Sequence, residues 1–271
     1  MKKILLSLLS IGAVAVVAVF ATQAFFSDEE KSVGNTFVAG ALDLKVDNTC
    51  HYNEPADDSP NCPTLVGANG DILRTWTETD LGLQHKFFYF TDVKPGDYGE
   101  DTISLHVDND AWLRLVIDVT EDLDKTCTEP ESKVIPTNLD PECTLPTPAP
   151  GPGELRNNLV FSMWLDQGAI PGFGGQANDP TECDNIKQPS STEPIEPEII
   201  AEGPINPTQE IWDLSLYTPY SYLKGGETAC FGVAWKLPST VGNEVQTDSF
   251  VGDMTFQVQQ HRNNPTPTWT P

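Results

Sequence analysis

Segments in which apolar and polar residues alternate recur along the chain. Leucine and valine alternate with aspartate and lysine in 42–47, and the period of two returns in 103–107, 112–119, 230–235 and 254–259. Successive side chains of a β-strand point to opposite faces, so this period predicts half-buried strands. Beyond the N-terminal apolar run, the sequence keeps no helical stripe over three turns. The pattern therefore predicts an all-β fold.

Turn-forming residues separate these segments. Lys-Pro-Gly-Asp at 94–97 precedes the strand predicted at 103–107, and Lys-Gly-Gly-Glu at 224–227 precedes the one predicted at 229–235. Proline and glycine supply the backbone angles of tight turns. Short strands joined in this way favour a two-sheet sandwich. The aromatic run 87–90 is apolar on both faces, which predicts a strand covered on both sides or facing a partner.

The N-terminal segment has the order of a secretory signal. Two lysines precede an apolar run at 4–21, and small residues follow at Thr22 and Ala24. This order predicts a helical signal peptide over 1–24, cleaved between Ala24 and Phe25. The apolar run also reaches the lower limit for a membrane-spanning helix, so an uncleaved anchor is the alternative. In either case membrane contact is expected only through this segment.

The rest of the chain is expected to form one domain, 25–263. Three segments rich in proline and polar residues interrupt its strand pattern, at 47–70, 121–156 and 166–207. They contain few residues that could form a core, so we expect long surface insertions rich in cysteine and proline. A Pro/Thr-rich tail follows at 264–271. It is expected to be an extended end, or else a docking handle that ends in a tryptophan.

The chain is strongly acidic. Its 40 acidic and 15 basic residues give a formal net charge of −25. Nucleic acid and anionic membrane surfaces are therefore not expected as partners, because both require a basic protein surface. Such a charge also keeps like molecules apart, so any self-association should strengthen with salt, divalent cations or acid.

Six cysteines follow the export signal, and an even number in a secreted protein predicts disulfides. The pairs closest in sequence are favoured: Cys50–Cys62, Cys127–Cys143 and Cys183–Cys230. No Cys-x-x-Cys pair is present, so the sequence gives no support to a zinc ribbon or a thioredoxin-like site.

Motifs for catalysis are missing from the sequence. The four histidines, His51, His85, His106 and His261, stand in no His-Glu-x-x-His pattern, and there is no Gly-x-Ser-x-Gly elbow. We therefore expect a protein that is not an enzyme and has no cofactor. Calcium is the one alternative, because acidic groups in loops supply oxygen ligands. The candidate groups are Asp57 with Asp58, Asp97 with Glu100 and Asp101, and Asp108 with Asn109 and Asp110.

Three blocks together resemble the TasA/camelysin family. The junction 24–44, Ala-Phe-Phe-Ser-Asp through Gly-Ala-Leu-Asp-Leu, is similar to the start of its mature proteins. The Lys-Pro-Gly-Asp turn with the strand 103–110, and the closing segments 230–238 and 243–264, are similar to its later strands. The resemblance implies a jelly-roll sandwich, a signal cut by a SipW-type peptidase, and secretion to the cell surface or biofilm matrix. The cysteine-containing insertions depart from the fibre-forming members, which lack cysteines.

In fibre-forming members, the resemblance further implies assembly by donor-strand exchange, with copies of the chain itself as the main partner and other matrix components as further ones. The mature N-terminus, 25–37, is the candidate donor strand. Its pocket-filling residues would be Phe25, Phe26, Val33 and Phe37, with Gly34 allowing a bend. The competing interpretation is that this segment is an ordinary first strand of its own subunit.

Two other functions stay open. Camelysin members are classed as metallopeptidases, so the resemblance also implies a cell-surface metallopeptidase. Jelly rolls also serve as carbohydrate- or surface-binding modules, and fold alone does not fix function. In that case Trp76, Trp112 or Trp164 would be exposed and stack on sugars, whereas the structural alternative places them in the core.

Overall fold

The computed structural model describes residues 42–54, 61–126, 128–132, 151–170, 172–173, 179–188, 196–217 and 221–269. The signal peptide, the cleavage point and the candidate donor segment 25–37 lie outside the described residues. The insertion 121–156 is described only at its two ends.

Two antiparallel sheets face each other. The large sheet has six strands in the order β4-β1-β6-β11-β8-β9, and the narrow sheet has three in the order β10-β7-β12. A third, minor sheet has the order β2-β3-β5. The predicted all-β sandwich is thus confirmed.

The strands of the large sheet are β1 (Leu44–Tyr52), β4 (Trp76–Thr79), β6 (Tyr98–Val107), β8 (Val160–Leu165), β9 (Glu198–Gly203) and β11 (Thr228–Lys236). Those of the narrow sheet are β7 (Ala111–Leu123), β10 (Gln209–Asp213) and β12 (Ser249–Gln260). The minor sheet contains β2 (Leu65–Val66), β3 (Ile72–Leu73) and β5 (His85–Lys86). The helices are single turns: α1 (Glu129–Ser132), α2 (Leu155–Asn158), and 3-10 turns at Leu214–Leu216 and Asn243–Val245.

The core lies between the two sheets, where their alternating apolar residues meet. In the large sheet Leu105 and Phe231 are fully buried, and in the narrow sheet Leu115 is 1% exposed. The rings of Phe231 and Phe256 lie 6.0 Å apart and join the two sheets directly. Burial of this apolar surface, at roughly 25 cal/mol per Å², is the main force that holds the sandwich together.

The predicted turn at 94–97 precedes β6. Gly96 has a φ of 101°, which glycine adopts without steric cost. The Asp97 amide donates to the Lys94 carbonyl at 2.9 Å, and the Lys94 amide donates to the Asp97 carboxylate at 2.8 Å. The Tyr52 hydroxyl also donates to that carboxylate at 2.7 Å. The turn is therefore closed on itself and fastened to the end of β1.

The aromatic run 87–90 is not a strand, contrary to the prediction. β5 ends at Lys86, and the next residues send their rings to separate places. Phe87 lies 4.9 Å from Trp76, Phe88 5.9 Å from Phe161, and Phe90 4.9 Å from Trp235. Because these rings fill gaps between other aromatic side chains, the apolar character of the run reflects packing and not strand pairing.

The insertions are shorter than predicted. β1 continues to Tyr52, which pairs with Gly99, so the first insertion does not begin at residue 47. β7 continues to Leu123, beyond the predicted boundary at 121. β9 lies inside the segment 166–207, where Ile200 pairs with Met163. The sequence did not indicate these strand residues because many of them are polar. They are strands because they pair with a neighbouring strand, and such pairing can override the local pattern.

The tail is attached to the domain up to Trp269, the last described residue. The Trp112 indole donates to the Asn264 carbonyl at 2.8 Å. The Gln259 side chain bonds the backbone of Thr268 twice, as acceptor from its amide and as donor to its carbonyl. The tail therefore lies on the outer face of the narrow sheet.

Two of the three expected disulfides are confirmed: Cys50–Cys62 and Cys183–Cys230. Cys127 and Cys143 lie outside the described residues. No helix in the described part of the chain has the length and apolar character needed to cross a membrane.

Candidate functional site

The candidate site is the outer edge of β12. This strand runs beside β7 over its whole length, from Ser249 opposite Leu123 to Gln260 opposite Ala111. Among the described residues no strand pairs with its other side. Its 12 residues present an edge of about 40 Å.

The other sheet edges in the described part of the chain are short or guarded by charge. β4 has 4 residues and β10 has 5. β9 pairs irregularly with β8, and its Glu198 and Glu202 form ion pairs with Lys187 and Lys236. Short and charged edge strands discourage pairing with a second chain. By contrast, β12 is long and carries a single charged residue, Asp253.

The core-facing side chains of β12 are incompletely covered. Met254 and Val258 are half-buried, whereas their β7 partners Ile117 and Leu113 are 5% and 0% exposed. Phe250, near the start of the same strand, is also half-buried. A further strand beside β12 would satisfy its free backbone groups and cover these three side chains. The edge thus has the chemical character of a strand-binding groove.

The outer face of the narrow sheet fixes β12 in place. Arg114 of β7 donates to the Gln257 side chain of β12 at 2.8 Å. The Trp269 ring lies over the Arg114 guanidinium at 5.4 Å, and its indole donates to Asp213 of β10 at 2.6 Å. With the Gln259 contacts to the tail, all three strands are tied together, so β12 is held as a rigid edge.

The sequence predicted the strand but missed its edge position. The period of two at 254–259 identified the apolar side of β12. Which strand lies at an edge depends on pairing with β7, more than a hundred residues earlier in the chain. The low charge of the segment was the one available signal. The predicted assembly residues Phe25, Phe26, Val33, Gly34 and Phe37 lie outside the described residues.

Asp57 and Asp58, one of the groups considered for calcium, lie outside the described residues. The described acidic groups do not form a cluster that could hold a metal ion. Glu100 and Asp101 are successive residues of β6 and point to opposite faces. Asp101 is fully buried and accepts from the Asn48 amide at 2.9 Å. Asp97 is occupied by the turn, and Asp110 accepts from the Gly225 amide at 3.0 Å. Burial raises the pKa of Asp101 well above its ordinary value, so this carboxyl is a neutral partner of Asn48.

The histidines are dispersed. His106 lies 2.7 Å from Asp47 across β1 and β6, whereas His261 stacks on Tyr222 with ring centres 4.0 Å apart. Within the described ranges, no three His, Cys, Asp or Glu side chains are placed to hold a metal ion.

The tryptophans suggested as sugar platforms are buried, Trp76 in the core and Trp112 and Trp164 on the outer faces of the sheets. Trp76, Trp112 and Trp164 are 6%, 7% and 3% exposed. A ring that stacks on a sugar must offer one face to solvent, so the exposed arrangement is wrong for these three residues.

The sequence matches no protein-family model. No curated protein matches it either.

Proposed function

We propose that this protein is a secreted structural protein that assembles into extracellular fibres or a surface matrix. In this proposal residues 25–37 of one subunit pair along β12 of the next. The open, weakly charged edge of β12 carries the proposal. The two disulfides indicate an oxidising, extracellular environment. The resemblance to the TasA/camelysin family agrees with secretion and strand exchange, although its fibre-forming members lack cysteines.

The donor and the edge match in length. The segment 25–37 has 13 residues and β12 has 12. A strand added to an open edge gains main-chain hydrogen bonds, and its alternate side chains enter the groove. Phe25, Val33 and Phe37 would share one face of an extended donor and each contribute roughly 1.5–3 kcal/mol if fully buried, whereas Phe26 would lie on the opposite face. Their targets are the half-buried Met254 and Val258.

Charge sets the conditions for assembly. The full chain has a formal net charge of −25, and removal of residues 1–24 with Lys2 and Lys3 leaves 13 basic and 40 acidic residues, a charge of −27. Such subunits repel one another, and the long-range part of that repulsion falls with added salt. β12 itself has one charged residue. The repulsion therefore acts between whole subunits as they approach each other, and β12 adds little to it. We expect assembly to be faster at high ionic strength and in mild acid.

Deletion of residues 25–31 from the mature protein tests the proposal. The variant should fold, give the far-ultraviolet circular dichroism of the parent, and form no filaments in electron micrographs. The matched control replaces Asp28, Glu29 and Glu30 by their amides, which keeps the length and the aromatic residues, and it should polymerise. Filaments of normal length from the deletion variant would contradict the proposal.

A mixing experiment separates exchange between subunits from pairing within one subunit. The deletion variant still has β12, so added to intact protein it should cap growing ends and shorten filaments in proportion to its share. A synthetic peptide of residues 25–37 should do the same, and a peptide with serine at Phe25, Phe26 and Phe37 should not. If the segment pairs only within its own subunit, neither additive will change filament length.

A further inference from the structure

A loop that the structure describes at 166–170, 172–173 and 179–188 is fastened to the outer face of the large sheet. Cys183 of the loop is bonded to Cys230 of β11, whose side chain points away from the core and lies 3.7 Å from the Ser104 hydroxyl. Trp164 lies on this same face beside Gly232 and is 3% exposed. This part of the sheet surface is therefore covered, although it is not the sandwich core.

Two buried carboxyl groups hold the loop closed. Asp166 is 0% exposed and Glu196 is 3% exposed. Asp166 accepts from the Asn185 amide at 2.7 Å. Glu196 accepts from the amides of Gly168 at 2.9 Å and Gln188 at 2.6 Å, at the two ends of the loop. These contacts are to the backbone, so the loop conformation depends directly on the two side chains.

The two carboxyl groups also contact each other. They share a side-chain hydrogen bond, which requires a proton on one of them. Burial raises the pKa of Asp166 to about 7, with the negative charge of Asp184 adding to the rise and the hydrogen bond with Glu196 opposing it. Burial, and to a smaller extent the neighbouring Asp166, raise the pKa of Glu196 to about 8. If both groups ionise, two adjacent charges must remain in a site that water does not reach, which is strongly unfavourable.

The surrounding charges do not neutralise the pair. On the loop, Asp184 adds a further negative charge that acts on Asp166. Asp179 is bound by the Thr181 hydroxyl and nearby amides, and Glu182 is another acid of the same loop. The loop's described cation, Lys187, forms its ion pair with Glu198 of β9. From β8 and β11 the neighbours are an indole and a disulfide, which do not titrate.

We propose that Asp166 and Glu196 form a proton-controlled latch on the loop 166–188. With one shared proton the latch is closed. When both groups lose their protons, they repel each other, water enters, and the loop leaves the sheet surface while the Cys183–Cys230 bond keeps it attached. The expected opening exposes Trp164 and the face of the sheet around it. This latch does not depend on polymerisation.

Hydrogen exchange tests the latch on the full mature protein in the presence of a chelator. After correction for intrinsic rates, the amides of 166–170 and 179–188 should lose protection by about tenfold or more between about pH 5.5 and about pH 9, whereas β6 amides should not change. Acrylamide quenching of tryptophan fluorescence should rise over the same range. Unchanged loop protection at the higher pH would overturn the proposal.

Matched variants locate the effect. Glu196→Gln cannot ionise, so loop protection should lose its pH dependence. Glu202→Gln is a change of the same size at an exposed residue of β9 that pairs with Lys236 and not with the loop, and it should keep the pH dependence. If Glu196→Gln lowers the protection of the loop amides at every pH, Asp166→Asn provides the same test by neutralising the other carboxyl of the pair. A pH response that persists in both variants would overturn the latch. Calcium that restores protection at the higher pH would also overturn it, because the pair would then be a cation site.

Discussion

The Trp269 indole donates a hydrogen bond of 2.6 Å to the Asp213 carboxylate, and this contact joins the tail to β10. The same ring lies over Arg114 of β7, and the preceding residue, Thr268, is bonded by Gln259 of β12. The tail therefore crosses all three strands of the narrow sheet. A segment that looks like a polar, proline-rich end acts as a clasp on the sheet that carries the open edge.

The clasp should contribute measurably to stability. Trp269→Ala removes a hydrogen bond to a charged group and a cation–π contact, so we expect a loss of about 1–2 kcal/mol in the free energy of unfolding. Urea denaturation followed by circular dichroism measures it. Thr266→Ala changes an exposed tail residue nearby and should have no effect. Equal urea midpoints for Trp269→Ala and the parent would show that the tail contributes nothing.

The edge of β12 should be sensitive to charge on one face only. Met254→Lys places an ammonium group among the half-buried side chains of the groove and should stop filament growth while the subunit stays folded. Thr255→Lys adds the same charge on the exposed outer face of the same strand and should allow filaments. Light scattering during assembly, with electron microscopy at the end, compares the two. Equal inhibition by both variants would point to net charge and not to the groove.

Stability should fall as the pH rises from about 5 to about 8. Burial raises the pKa of Asp101 well above its ordinary value and that of Asp248 to about 7, in the same direction as for Asp166 and Glu196. In this window the folded protein keeps protons that the unfolded chain, with carboxyl pKa values near about 4, has released. The free energy of unfolding therefore decreases with pH, by at least about 1 kcal/mol over the window.

A second group acts in the opposite direction at lower pH. Burial would raise the pKa of Asp97, but hydrogen bonds from Tyr52, the Lys94 amide and Asn53 outweigh it and lower that pKa. The stability from this group is present above about pH 4 and is lost as the pH falls through the lowered value. Urea midpoints across the range should thus peak near about pH 5. A midpoint that rises steadily to pH 8 would contradict the assignment of protonated buried acids.

Gly232 should tolerate no side chain. A Cβ atom at this position would lie 2.2 Å from Cε2 of Trp164, within a ring that packs directly on the β11 backbone. Gly232→Ala must displace the indole, and overpacking of this kind costs about 1–3 kcal/mol. Gly203→Ala on β9 is the control, because the nearest atom would be 4.0 Å away. Thermal unfolding should separate the two variants, and tryptophan fluorescence should change only in the first.

The two described disulfides should differ in their contribution. Cys183–Cys230 spans a sequence separation of 47 and Cys50–Cys62 one of 12. Restriction of the unfolded chain then predicts about 4 and about 3 kcal/mol. Paired Cys→Ala replacements, one pair at a time, should follow this order in urea denaturation. A reversed order would mean that contacts in the folded state, and not chain length, decide the contribution.

The sequence could predict the elements that depend on neighbouring residues. The period of two located β1, β6, β7, β11 and β12, because one buried face imposes it locally. The turn at 94–97 was predictable from its proline and glycine, and the Cys50–Cys62 disulfide from its short spacing. Each of these signals lies within a few residues or within one loop.

Features that depend on distant residues could not be read in this way. The rings of Phe87, Phe88 and Phe90 pack on aromatic residues of five different strands, β1, β4, β8, β11 and β12, so their apolar character resembled a buried strand. Trp269 contacts Asp213 and Arg114 through a chain reversal that no local pattern indicates. Asp101 is an exception. It lies on the same face of β6 as Ile103 and Leu105, so the alternating pattern predicts its burial.

The pairing of β12 with β7 has a consequence for the timing of synthesis and export. Phe256 lies opposite Leu115, although β12 follows β7 by more than a hundred residues and ends at Gln260. A molecule made only as far as β7 has the N-terminal segment but not β12. The edge forms only after Gln260 has emerged, so in the proposed assembly such a molecule could offer a donor strand but could not accept one.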